Sequence, residues 1–216
     1  MLIDTGDSPS FPAAHALLDA ARGKDDIVVI IGREAGAALA RVGDAAAKIV
    51  ILVELGTESL GVHTGETRGK EGGNLLGFAR FRLGADAPSD LVELVSQPGS
   101  APAAVAAATA LFRDAGLEVA LCGDFAGRII DRLVRPYYNA ALRRLDERLA
   151  SADDLDLTLR LGLGYPAGPI ALLERSGLAH HFDVTQALYE ATGDPAYAPA
   201  RRARVAKARQ RRDTKG

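Results

Sequence analysis

Two unbroken apolar runs dominate the first part of the chain. Residues 27–31 read IVVII and residues 49–53 read IVILV. Runs of this length, rich in β-branched side chains, suit strands buried on both faces, as in a parallel sheet. The stretch between them, from Gly32 to about Ala47, predicts a helix. Strand, helix and strand then make one crossover of the usual right hand. Residues 1–11 are rich in Asp, Ser, Gly and Pro and read as a loop or a short edge strand. Residues 11–22 predict a helix, with Pro12 near its start and Gly23 beyond its end. The polar segment 54–74 carries glycine at 56, 61, 65, 69, 72 and 73 and reads as loops around a short helix. Strands are predicted over 75–83 and 91–96, an Ala-rich helix over 100–115, and a last strand over 117–121.

From Asp124 onward the pattern is helical only. Ile130, Leu133, Val134, Tyr137, Ala141, Leu145 and Leu149 recur at helical spacing. Pro136 sits inside that run, and a kink is expected there. Ser151 followed by Asp154 has capping-box spacing, with Asp in place of the usual Glu. Residues 163–169, LGYPAGP, end one helix, and Pro169 suits the first position of the next. The pattern therefore predicts an α/β domain over 1–124 and an all-α domain over 125–216.

Three motifs in this helical half carry a resemblance. Residues 127–133, GRIIDRL, match a G-F-I-x-N-R-L run; residues 161–169, LGLGYPAGP, match x-G-L-G-Y-P-x-G-P; residues 188–199 match L-Y-x-x-T-G-D-x-x-Y-x-P. In this order and at these separations they resemble the C-terminal helical domain of the 3-hydroxyacyl-CoA dehydrogenases. The likeness is clear from about Leu75 to Arg212 and weaker before that. It implies a reduced Rossmann-like domain ahead of the helical domain, similar to the second half of the long tandem bacterial members. It also implies the family reaction, oxidation of the 3-hydroxyl of an acyl-CoA with hydride passing to NAD.

That reaction needs a base for the hydroxyl proton. The family uses a His supported by a Glu, with a Ser and an Asn placing substrate and cofactor. Carried over by motif, the Ser position is Glu58, the His position is Ala79, the Glu is kept as Glu93, and the Asn position is Asp131. Glu93 and Asp131 are thus the candidate catalytic residues, and the family's base is replaced. Their plainer readings are a strand carboxylate paired with Arg80 or Arg132, and a solvated Asp131–Arg132 pair. Of the histidines, His63 is the best substitute base, because its loop resembles one near the family's substrate. His15, His180 and His181 read as surface or core residues.

A dinucleotide site would place G-x-G-x-x-G after the first strand, so that backbone amides reach the pyrophosphate. Here GREAG follows Ile31, with one glycine missing and Glu34 set to repel a phosphate. Gly32 and Gly36 read as packing glycines. No cofactor-binding residue is assigned, and NAD is implied by the resemblance alone. No metal-ligand spacing and no Ser or Cys with an adjacent base is seen.

Composition narrows the field. With 216 residues, 48% of them hydrophobic and no Trp, the chain can bury one moderate core or two small ones. No apolar run approaches the ~20 residues of a membrane span, and the acidic start offers no secretory signal, so a cytoplasmic protein is expected. Cys122 is the only cysteine and cannot form an internal disulfide. Net charge is −2, but Arg201, Arg202, Arg204, Lys207, Arg209, Arg211, Arg212 and Lys215 crowd the end, behind a body with 18 basic and 27 acidic residues. A basic tail on an acidic body suggests internal attraction or contact with a phosphate-rich ligand such as coenzyme A. Nucleic acid is disfavoured by the acidic body and the lack of interleaved aromatics.

Three functions are consistent with these features. The first is a family member without its own NAD site and base, acting as an acyl-CoA-binding or dimerising partner. The second is an active NAD-dependent dehydrogenase with an atypical or partner-completed site. The third is a dimerisation module with no small ligand. A homodimer, or pairing with a larger dehydrogenase of the family, is expected.

Overall fold

The computed structural model describes residues 1–214; Lys215 of the basic tail lies outside the described residues. The chain folds into two compact units, Met1–Arg82 with Ala87–Ile129, and Leu83–Asp86 with the chain from Ile130 onward.

The first unit is built on a six-stranded sheet. Its strands are β1 (Leu2–Asp4), β2 (Ile27–Ile31), β3 (Val50–Glu54), β5 (Leu75–Arg80), β6 (Leu91–Ser96) and β8 (Glu118–Gly123), in the spatial order β1-β2-β3-β5-β6-β8. The first four run parallel, β6 is antiparallel to β5, and β8 is parallel to β6. Two two-residue strands, β4 (Gly72–Gly73) and β7 (Gly99–Ser100), pair separately. Every residue of β2 and β3 is buried, as their apolar runs predict. Alternate side chains feed two cores. Val29, Ile31, Leu52, Phe78 and Leu94 pack with α1 (Ala16–Arg22) and α3 (Pro102–Asp114). Val28, Ile30, Ile51, Val53 and Val95 pack with Ala35, Ala38 and Leu60.

Two predicted helices are shorter than their patterns suggest. The crossover from β2 to β3 contains only 3-10 turns, Ala37–Arg41 and Ala45–Ala47. Gly36 and Gly43 cut the segment into pieces too short to repay helix nucleation. The first helix starts at Ala16 rather than near Pro12, capped by His15 Nδ1 accepting the Leu17 amide at 3.1 Å. Residues 8–11 are drawn elsewhere: buried Glu54 accepts from the Ser8 hydroxyl at 3.0 Å and the Ser10 amide at 2.6 Å. Glu54 therefore ends β3 and does not belong to the polar loop. The short helix expected in that loop is α2 (Gly61–Thr64), its first amides held by Asp124. The strand predicted over 75–83 ends at Arg80.

The second unit holds α4 (Ile130–Asp146), α5 (Ala152–Leu163), α6 (Pro169–Ser176), α7 (Leu178–Thr192) and α8 (Arg201–Asp213), with a 3-10 turn at Pro195–Tyr197. α4 continues through Pro136. Proline has no N–H to offer the Arg132 carbonyl four residues back. The Tyr197 hydroxyl donates to that carbonyl instead, at 3.2 Å. The tyrosine of the Gly-Asp-x-x-Tyr run thus repairs the helix. Ser151 caps α5 by accepting the Asp154 amide at 3.1 Å, while its hydroxyl meets the short Asp154 carboxylate at 2.7 Å. Gly164 ends that helix in the left-handed conformation, φ 71°.

The GYPAGP turn has a second purpose. Pro169 opens α6, and the two following amides, Ile170 and Ala171, both donate to Asp156 of α5 at 2.9 Å. A Cβ on Gly168 would lie 2.1 Å from the Asp156 carboxyl carbon, so glycine there lets the cap approach. Asp156→Ala is expected to cost about 0.5–2 kcal/mol, the usual loss for a cap. Urea denaturation checks it; an unchanged midpoint would show that water serves these amides equally well.

Two residues of the basic tail find acidic partners close by inside the unit. Arg202 meets Asp146 at 2.9 Å and Lys207 meets Asp183 at 2.6 Å. Among the described residues no helix is long and apolar enough to cross a membrane.

Candidate functional site: a buried Glu93 centre and an acidic cleft

The antiparallel register sets Ala79 of β5 directly opposite Glu93 of β6. These are the positions that the resemblance gives to the family's His and Glu. Cross-strand neighbours project on the same face at about 4.5–5.5 Å between Cβ atoms, so the placement suits such a pair. Ala79 supplies no nitrogen, and both residues are buried. The carboxylate of Glu93 instead accepts the Ile129 amide at 2.8 Å and faces Arg128, whose Nε lies 3.5 Å from Oε2. That second contact is an ion pair without hydrogen-bond geometry, since Nε and Nη1 of Arg128 have no hydrogen-bond partner among the described residues. Nη2 donates to the Gly56 carbonyl at 2.8 Å. Arg128 is held with φ 51°, next to Gly127 at φ 74°. Its place in the run that opens the helical domain gave no sign of this role, and Arg80, one of the two expected partners, is turned elsewhere. Arg80 spends its guanidinium on the Ser89 and Ser10 carbonyls, at 2.7 and 2.9 Å.

Asp131 is not a solvated partner of Arg132. It accepts from Arg135 Nε at 2.7 Å, one turn along α4, and Arg135 is only 1% exposed. The Arg135 Nη1 donates to His181 Nδ1 at 3.2 Å, and His181 Nε2 lies 3.1 Å from Asn139 Oδ1. Arginine has no acceptor, so Nδ1 must accept and the ring proton sits on Nε2. Burial, and then the charge of Arg135, push the His181 pKa down to about 3, so the ring is neutral. Asn139 passes the network on by donating to the Ala196 carbonyl at 3.1 Å. Asp131, Arg135 and Asn139 recur every fourth residue, a polar line inside an apolar helix face. That spacing was the available signal for the network.

A second polar centre lies in the α/β unit at the carboxyl ends of β2 and β3, where open parallel sheets hold ligands. A cleft of about 650 Å³ is lined there by Asp7, Arg33, Glu34, Glu54, Glu58 and His63, among others. His63 Nε2 lies 3.2 Å from Glu58 Oε1, and that oxygen also accepts the Gly56 amide at 3.0 Å. Burial pushes the Glu58 carboxyl up, but the Glu58 and Gly56 amides and His63 outweigh it and leave it below its ordinary value. The glycines after β2 are not there only for helix–strand packing. Gly32 adopts φ 101°, and a Cβ on it would lie 2.4 Å from the Gly6 carbonyl oxygen. Its amide donates to Glu54 Oε2 at 2.6 Å. A Cβ on Gly36 would lie 2.1 Å from the His63 ring. Among the described residues no group of three or more His, Cys, Asp or Glu side chains is placed to hold a metal ion.

Comparison with known proteins agrees with the helical motifs. Residues 127–216 match the sequence model of the 3-hydroxyacyl-CoA dehydrogenase C-terminal domain. The 3-hydroxyadipyl-CoA dehydrogenase of Escherichia coli K12 is 36% identical over 101 residues, 47% of this chain and 21% of that protein. The 3-hydroxybutyryl-CoA dehydrogenase of Bradyrhizobium diazoefficiens is 30% identical over 110 residues, 51% of this chain and 38% of its own. The chain thus spans well under half the length of these curated relatives. The crystal structure of (S)-3-hydroxybutyryl-CoA dehydrogenase from Ralstonia eutropha superposes with a TM-score of 0.70 at 27% identity, covering 86% of this chain and 66% of that one. The 3-hydroxybutyryl-CoA dehydrogenase structure from Escherichia coli gives 0.69 at 26% identity, covering 83% of this chain and 38% of that one. A reduced Rossmann-like α/β domain thus precedes a helical domain that matches the 3-hydroxyacyl-CoA dehydrogenase C-terminal domain, and the chain is similar in sequence and fold to 3-hydroxyacyl-CoA dehydrogenases.

Proposed function

We propose that this chain is a family member without a hydride-transfer site of its own, serving acyl-CoA metabolism as a dimerising, acyl-CoA-holding partner. The observation that carries the reading is the Glu93 centre. Alanine stands opposite Glu93, and the carboxylate is already committed to Arg128 and the Ile129 amide. A general base must lie within hydrogen-bond reach of the proton it takes, and position 79 offers none. The residues after β2 also do not suit a dinucleotide. The Gly32 amide, the group that would meet a pyrophosphate, donates to the Glu54 carboxylate, and Asp7, Glu34 and Glu58 line the same cleft. Like charges there raise the cost of bringing in a phosphate.

The partner role draws on α5. Its leucines fall at 155, 157, 159, 161 and 163. On a helix, residues two apart point about 200° away from each other, so this alternation makes two opposite apolar faces. Leu155 and Leu159 are half-buried, while Leu157 and Leu161 are 49% and 75% exposed. No residue of α5 is fully buried. A helix apolar on both sides is built to be covered on both. The occupant we assign to the outer face is a second copy of the chain or a larger family member. Sedimentation at micromolar concentration is expected to show a dimer, and Leu161→Glu a monomer. A monomeric wild-type chain that also fails to join a larger dehydrogenase would remove this role. For the chemistry, the isolated chain is expected not to oxidise NADH in the presence of acetoacetyl-CoA; steady turnover would overturn the reading.

A further inference from the structure

The Glu58–His63 pair is used by neither the Glu93 centre nor the helical network, yet the chain is shaped around it. Gly36 has φ −60°, an ordinary value that alanine would accept. What excludes a side chain is the His63 ring, which a Cβ would approach to 2.1 Å. At Gly56 a Cβ would lie 2.7 Å from Glu58 Oε2. Two glycines therefore seat the two halves of one pair. Glu58 is an anion at neutral pH and accepts only, so the proton between them sits on His63 Nε2. In the uncharged ring that fixes the tautomer and leaves Nδ1 as an acceptor. Among the described residues no hydrogen bond reaches Nδ1, and the side chain keeps 22% of its surface at the edge of a cleft of about 650 Å³. The other charged groups facing the cleft are Asp7, Glu34 and Glu54, against Arg33.

We infer that this cleft binds a small hydroxyl- or ammonium-bearing molecule, which donates a hydrogen bond to His63 Nδ1 while Glu58 holds the ring. An accepting Nδ1 selects a donor, and the surrounding carboxylates exclude phosphate. This ligand would be distinct from a dinucleotide and from the thioester chemistry of the family.

The test uses the full chain with two probes, ethanolamine and inorganic phosphate, followed by proton–nitrogen correlation spectra. Ethanolamine at millimolar concentration is expected to shift the Gly36, Glu58 and His63 amides saturably, and phosphate to leave them in place. Glu58→Gln and His63→Ala should each weaken ethanolamine binding by about tenfold, the loss of one charge-assisted contact. Absence of saturable shifts, equal shifts with phosphate, or unchanged affinity in both variants would overturn the inference. Long-range proton–nitrogen spectra of the wild type give a reading that needs no variant. They are expected to show the Nε2–H tautomer at His63, and an Nδ1–H tautomer would contradict the site.

Discussion

Replacement of Arg135 by methionine is expected to lower the stability of the helical unit by about 3–5 kcal/mol, the cost of breaking a buried charge pair from one side. Asp131 would lose the guanidinium 2.7 Å away and His181 would lose the donor to its Nδ1. The same network makes stability depend on pH. His181 titrates near 6.5 when unfolded and near 3 when folded, because burial and Arg135 disfavour the charged ring. Its contribution is therefore fully present above pH 6.5 and is lost progressively as pH falls toward 3. The loss is up to about 1.4 kcal/mol for each pH unit crossed. His181→Gln keeps one acceptor and one donor but does not titrate, so its stability should be flatter across that window. Urea melts of both proteins between these limits check this, and parallel curves would show that the histidine is not the source.

Glu93→Ala is expected to destabilise the α/β unit by a similar amount, about 3–5 kcal/mol. The variant leaves the buried Arg128 guanidinium without its counter-charge and the Ile129 amide without its acceptor. Adding Arg128→Met should recover part of the loss, because removing both charges leaves none buried alone. If Glu93 were kept only for proton transfer, the single variant would melt with the wild type and the double variant would gain nothing. The comparison therefore separates a carboxylate that holds the fold from one held for chemistry.

The sheet was legible where the chain is least ambiguous. Five apolar residues at 27–31 have no solution but burial on both faces, and β2 takes it. The caps of the helical unit were equally plain at Ser151, Gly164 and Pro169, because a hydroxyl, a left-handed glycine and a missing N–H act locally. Local signals misjudged the crossover and the first helix. There the deciding partner, Glu54, lies more than forty residues from Ser10 in sequence and pulls residues 8–11 off the helix. The site divides in the same way. The resemblance gave Ala79 and Glu93 the places of a His and its supporting Glu, and the register sets the two residues opposite each other. Arg128 could not be foreseen as the partner of Glu93, because a residue at φ 51° in a turn carries no periodic signal. Glu58 and His63 are five apart, and only the turn of α2 after Leu60 brings them together. Asp131 looked solvated because its neighbour is Arg132, whereas a helix joins it to Arg135.

The central claim is that the α/β unit does not hold NAD, and calorimetric titration of the purified chain with NADH tests it most directly. With Glu54 on the Gly32 amide and three further carboxylates in the cleft, the account predicts no heat of binding and no thermal shift at millimolar NADH. Saturable binding of NADH would contradict it.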